Sequence, residues 1–240
     1  MGRVPDPGFT GKAGNLIYYK VNGKNYVRSF PEKVRQSQAT KARATLFGQA
    51  STLGAIIRNQ LPGIMPFPKD KHMQTRLVTA LYQWLVQMKN QNNAEPLQPD
   101  ALKGFLFAEQ RPSVFHRWRV NLDLSVDPAG EVKIVIPSFV PVKTIKAPPG
   151  TSSVVCRIAA CSGDVKELAQ LGGDWTEFIF DYNDQSFDSK TVTFQLRMPK
   201  GSLVITAISL KYRLARKNYW LNNTNKSYMP ADIIDARYII

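Results

Sequence analysis

Residues 113–136 read SVFHRWRVNLDLSVDPAGEVKIVI, and within this stretch the apolar pattern changes period. Val114, His116, Trp118, Val120, Leu122, Leu124 and Val126 alternate with Phe115, Arg117, Arg119, Asn121 and Asp123. Successive side chains of a strand point to opposite faces, so the alternation predicts a half-buried strand. Asp127-Pro128-Ala129-Gly130 supplies a turn, and Val132, Ile134 and Ile136 continue on the returning strand. Further strand-like runs fall at 137–143, 153–161, 175–181, 190–198 and 202–214, separated by Gly, Pro and Asp turns. About seven strands at this spacing predict an antiparallel β-sandwich, of immunoglobulin or jelly-roll type, over residues 112–240. The aromatic tail YWLNNTNKSYMPADIIDARYII is expected to pack back on that body.

Upstream, over residues 37–111, the period is helical. Leu46, Ala50, Leu53, Ile57 and Leu61 share one helical face between a Ser37 or Thr40 cap and the Pro62-Gly63 stop. Ala44, Gly48 and Ala55 are small enough to admit a close neighbour. Met73, Leu77, Leu81, Trp84 and Met88 form the stripe of a second helix over about 68–90, antiparallel to the first. Asp100 is expected to cap a third, short helix, ALKGFLF.

Residues 1–36 read as a basic extended arm with a β-hairpin. In GNLIYYKVNGKNYVRS, residues 14–29, two runs rich in aromatic and β-branched residues flank Asn22-Gly23, a strong two-residue hairpin signal. The expected register pairs Val21 with Lys24, Tyr19 with Tyr26 and Ile17 with Arg28. A lone hairpin is marginal in water, so it needs a surface to dock on. The predicted fold class is therefore α+β: hairpin arm, α-helical hairpin, then sandwich.

The formal net charge of +14 is unevenly spread. Residues 1–60 hold ten Lys and Arg against two acids, Asp6 and Glu32. Conversely, DWTEFIFDYNDQSFD, residues 174–188, carries Asp174, Glu177, Asp181, Asp184 and Asp188 without a Lys or Arg. A basic excess of this size attracts polyanions or acidic protein surfaces and says nothing about fold. No run is long enough for a transmembrane helix, and the start of the chain lacks a secretory or myristoylation signal. The expected setting is the cytoplasm, or a particle into which the protein is incorporated, without a membrane.

Residue patterns for common chemistries are missing. His72 and His116 lack metal-helix spacing, and His116 falls on the apolar face of its predicted strand, as a core histidine would. Cys156 and Cys161, five apart in an apolar run, read as buried inert thiols on opposite strand faces. DYNDQSFD lacks the Gly and distal Glu of an EF-hand loop and reads as a solvated acidic turn. The sequons at Asn222 and Asn225 read as chance matches. P-loop, dinucleotide-binding and nucleophile-elbow motifs do not occur. The expectation is a protein without catalytic residues, cofactor or metal.

The arm admits three readings. Charge runs are ordinarily solvated faces, but Phe9, Tyr18, Tyr19, Tyr26 and Phe30 interleave with this one and call for a partner. Nucleic acid, DNA or RNA, would be held by Lys12, Lys20, Lys24, Arg28, Lys33, Arg35, Lys41 and Arg43 on phosphates, with tyrosines stacking bases. Assembly into a homo-oligomer would use Tyr18, Tyr19, Tyr26 and Val27 as buried contacts, with the same cations facing an acidic surface such as 174–188 of a neighbour. The last reading uses both ends of the charge asymmetry and is the one favoured. A carbohydrate-binding sandwich would use Trp118, Trp175 and Trp220, each of which is expected in the core instead.

The segment GKAGNLIYYKVNGKNYVRSFPEKVRQSQATKARATLFGQAS resembles the start of a family of uncharacterised Bacteroidota proteins. These open with a Gly-Lys-Val-Gly-Asn arm, an aromatic strand, a Gly turn, a Val-Arg-Ser-x-Pro stretch and a Thr/Ala/Arg-rich helix. Ala13 stands where Val is usual, and Ser37-Gln38-Ala39-Thr40 replaces a Pro- and Thr-rich spacer. The resemblance covers the first fifth of the chain. It implies a recurrent arm-plus-helix module of bacterial or phage-associated origin and supplies no catalytic residue.

Overall fold

The computed structural model describes residues 2–3 (backbone only), 10–30, 37–65, 70–90, 97–108, 112–127, 129–214 and 228–240. It is an α+β fold with antiparallel, sandwich-like sheets, divided into two compact units, Met1–Arg43 and Ala44–Ile240.

In the first unit, strands β1 (Gly2–Arg3), β2 (Gly11–Ala13), β3 (Leu16–Val21) and β4 (Lys24–Ser29) form a sheet in the order β1-β4-β3-β2. Asn22 and Gly23 sit at φ 49° and 75°, the left-handed pair that a twist-compatible two-residue turn requires. The register is the expected one: Val21 opposite Lys24, Tyr19 opposite Tyr26, Ile17 opposite Arg28. The hairpin does not stand alone, because β2 pairs with β3 and β1 with β4. Even so, no side chain described in this unit is fully buried.

The second unit is built on a central sheet ordered β11-β10-β7-β8. Its strands are β7 (Thr151–Asp164), β8 (Gln170–Asp181), β10 (Ser202–Leu214) and β11 (Ala231–Tyr238). A smaller sheet, ordered β5-β6-β9, joins β5 (Asp123–Val126), β6 (Glu131–Ile136) and β9 (Lys190–Gln195). Val132, Ile134, Ile136, Val192 and Phe194 of the smaller sheet share a core with Val154, Cys156, Ile158, Val204 and Ile208 of the central one. The opposite face of the central sheet is covered by α1 (Gln38–Gln60), whose last turns lie in this unit, and α2 (Met73–Asn90). There Leu53, Ile57, Leu77, Leu81 and Trp84 pack on Ala159, Cys161, Ile205, Ala207 and Ile233. β7 and β10 are thus buried on both faces, which is why VVCRIAAC and SLVITAISL are mostly apolar runs without alternation, broken only by Arg157 in the first and by Ser202, Thr206 and Ser209 in the second.

Several expectations change. Val114–Arg117 is one helical turn, α3, rather than the start of a strand. Val114 and Trp118 are four apart, so period two and the helical period both place them on one face. The competition is decided by Ser113 Oγ accepting from His116 N at 3.1 Å and by the Asp232 carboxylate accepting from Val114 N. His116 consequently points outward and is exposed, not a core histidine. Residues 137–143 contain an isolated bridge, Phe139 to Phe187, and the turn α4 (Pro141–Thr144), not a strand. The third helix shrinks to a 3-10 turn at Asp100–Leu102, without a side-chain cap. α2 starts at Met73, where Asp70 Oδ1 accepts from His72 N at 2.8 Å. In the tail, Ala231–Tyr238 is a strand paired with β10, whereas 215–227 lies outside the described residues. The close approach on α1 is at Gly54, where an added Cβ would lie 3.3 Å from Val78 Cγ2, and not at Gly48, which faces open space.

Two stability predictions follow from this packing. Gly54→Leu is expected to lower stability by about 1–3 kcal/mol through overpacking, while Gly48→Ala raises it by about 1 kcal/mol through helix propensity; urea melts of both variants check the contrast. Asp232 is buried with Oδ1 unpartnered among the described residues, and burial pushes its carboxyl up to about 7, against an opposing hydrogen bond from Val114 N. The folded state therefore holds a proton that the unfolded chain releases from about pH 4. Stability from this group is fully present below that value, falls by about 1.4 kcal/mol per pH unit up to the folded pKa, and levels off above it. Asp232→Asn is expected to remove that slope and to unfold at higher temperature than the parent at pH 8, as read by thermal melts across pH 4–8.

Candidate interaction surface

The arm sheet sorts its residues by register. Lys12, Ile17 and Arg28 are aligned across β2, β3 and β4, so they share a face with Tyr19, Tyr26, Val21 and Lys24. Tyr19 and Tyr26 stack with ring centroids 5.9 Å apart. Lys12 Nζ lies 3.7 Å from the Phe30 ring centre, and the Arg28 guanidinium 5.8 Å from that of Tyr19. Such contacts hold the cations in place without neutralising them. Tyr18 and Val27 pair across the strands on the other face, on which Lys20 also falls. The four predicted contact residues, Tyr18, Tyr19, Tyr26 and Val27, are all half-buried and are therefore split two and two between the faces. Lys41 and Arg43 are exposed on the first turns of α1. Lys33 and Arg35 lie outside the described residues.

The acidic segment falls on β8 and the loop after it. Asp174, Glu177, Asp181, Asp184 and Asp188 are all exposed. Glu177 is engaged within the chain: Arg157 Nε donates to its Oε2 at 2.9 Å, and Arg157 also lies 4.5 Å over the Trp175 ring. Arg157 Nη1 reaches Pro62 O at 3.4 Å, tying β7 to the end of α1. Burial pulls the Lys211 ammonium down, helped by Arg157 and opposed by Glu177. Among the described residues, the other four acids form no ion pair.

β8 is also the outer strand of the central sheet. It pairs with β7 from Asp181, opposite Ser153, to Gln170, opposite Gly163. Among the described residues no strand lies on its other side. The far edge of the same sheet is closed. Gly104 N and Phe107 N donate to Ile233 O and Ala231 O of β11, Ile233 N donates to Phe105 O, and the Gln98 side-chain amide both accepts from Tyr238 N and donates to Tyr238 O. On β8, by contrast, Trp175 is 44% and Ile179 51% exposed. Beside its end lies a cleft of about 260 Å³ lined by Pro141, Ile179, Asp181, Asn183, Gln185 and Phe187.

The acids are legible in the sequence one by one, the open edge is not, and Trp175 is exposed rather than in the expected core. The available signal was the alternation of Trp175, Glu177, Ile179 and Asp181 on one side of a strand that carries no Lys or Arg. Trp118 is buried as expected, and Trp220 lies outside the described residues. The thiols of Cys156 and Cys161 are buried, which raises both, that of Cys161 to about 12. Among the described residues, no three His, Cys, Asp or Glu side chains cluster as metal ligands, and no helix is long and apolar enough to cross a membrane.

No protein-family model matches the chain, and no curated protein matches it.

Arg157→Met is expected to cost about 1 kcal/mol, since it removes the ion pair with Glu177, the cation over Trp175 and the hydrogen bond to Pro62 O. Asp181→Asn, Asp184→Asn and Asp188→Asn should each stay within about 0.5 kcal/mol of the parent. Chemical denaturation of the four variants measures the difference.

Proposed function

We propose that the protein is a non-catalytic structural subunit whose basic N-terminal arm docks on neighbouring subunits of a homo-oligomer, in a bacterial or phage-associated particle. One observation carries this reading: a four-stranded sheet bearing Tyr, Ile, Val and Phe has no fully buried side chain among its described residues. Sheets gain their stability by covering at least one apolar face, so this one is incomplete without a partner. Leu16, Val21 and Phe30 are 40–46% exposed on it. The neighbouring cations add steering and partner selection more than affinity.

A second reading, sequence-nonspecific nucleic-acid binding, is favoured by the grouping of Lys12, Lys24 and Arg28 with two tyrosines on one face. Phosphates and stacked bases would meet that set, and affinity would fall steeply with salt.

Removal of residues 1–36 is expected to convert the oligomer to a monomer in size-exclusion chromatography with light scattering, on nuclease-treated protein. An unchanged oligomer overturns assembly through the arm. A full-length monomer that retains nucleic acid until salt strips it would replace the first reading with the second.

A further inference from the structure

The acidic segment 174–188 is the surface expected to face the arm, and the geometry of the central sheet narrows it to one edge. We propose that the arm of a second copy docks along the outer edge of β8 and the 181–188 loop; this inference rests on the assembly reading above.

The two edges of the central sheet are finished unequally. β11 is sealed by backbone hydrogen bonds from residues 104–107 and by the Gln98 amide. β8 is twelve residues long, and no described strand or loop seals it. An exposed edge of that length is a template for another chain, and proteins that stay monomeric usually shorten, bend or cover it. Here the local protection is slight: the Trp175 N–H donates to the side chain of its own neighbour, Asp174, at 2.8 Å.

The exposed side chains of β8 and of the arm match in kind. Trp175 and Ile179 lie on one side of β8 and are among the few large apolar side chains that the second unit leaves exposed. The arm offers Val21, Tyr26 and Phe30 in the same mixture with cations. Aromatic and aliphatic groups of this kind form the desolvated centre of an interface, with charges at its rim.

The charges of the two surfaces are of opposite sign. Glu177 is already neutralised by Arg157, whereas Asp174, Asp181, Asp184 and Asp188 have no ion-pair partner among the described residues. Lys12, Lys24 and Arg28 present the complementary sign on one arm face. The cleft beside Ile179 and Asp181, with the amides of Asn183 and Gln185, suits one long cationic side chain. Each copy thus has one donor and one acceptor, a heterologous contact that closes into a ring or extends as a filament.

The experiment uses the full chain and charge reversal in both partners. Asp181→Lys with Asp184→Lys should abolish the oligomer in light scattering, and so should Lys24→Glu with Arg28→Glu. The chain carrying all four changes should recover it, because each reversed arm then meets a reversed acceptor. Hydrogen exchange supplies a second readout: β8 amides should exchange faster in both charge-reversed proteins than in the parent oligomer. An oligomer that survives the Asp181 and Asp184 changes with unaltered β8 exchange overturns the β8 assignment and leaves arm-mediated assembly standing. A parent chain that is monomeric at low and high salt overturns both.

Discussion

β7 and β10 are covered on both faces, and that requirement places most of the second unit. Two adjacent strands of fourteen and thirteen residues need one apolar layer above and another below. The helices supply the first through Leu53, Ile57, Leu81 and Trp84, and the smaller sheet supplies the second through Ile134, Ile136 and Phe194. The arrangement is closer to three layers than to a simple sandwich: one sheet is the shared middle. Strands in such a position lose the alternation that marks a half-solvated sheet and read as nearly continuous apolar runs.

The edges of the central sheet follow from the same requirement and are resolved differently. β11 brings Asp232 and Asp235 into a buried setting. Asp235 is compensated by Arg237 at 2.7 Å and Lys103 at 3.5 Å, while Asp232 keeps one oxygen without a partner among the described residues. β8 carries its charges outward, and Arg157 alone reaches across to Glu177, Trp175 and the end of α1. The arm repeats the problem on a smaller scale, with strands too short and too few to enclose a core of their own.

Local chemistry was legible in the sequence, and long-range order was not. The Asn22-Gly23 turn, the hairpin register and the apolar stripe of α1 all depend on residues a few positions apart. β11 was hidden because ADIIDARY places two acids in an apolar run, and the distant groups that receive them, Lys103 for Asp235 and the Val114 N–H for Asp232, are more than a hundred residues away. The turn at Val114–Arg117 was hidden because a four-residue spacing satisfies helix and strand alike. Of the candidate surface, the basic and acidic residues could be read one by one. That β8 is an outer strand, and that Glu177 is already paired, depends on strand order, which no local pattern encodes.

The two free thiols on β7 acquire a use from the layered core. Cys156 faces the smaller sheet and Cys161 the helices, and both are inaccessible in the closed molecule. A thiol reagent reaches Cys161 only when the helical layer lifts, and Cys156 only when the smaller sheet does. The protein therefore carries one built-in reporter for each of its two interlayer seams. The order in which they become reactive times the opening of those seams without an added label.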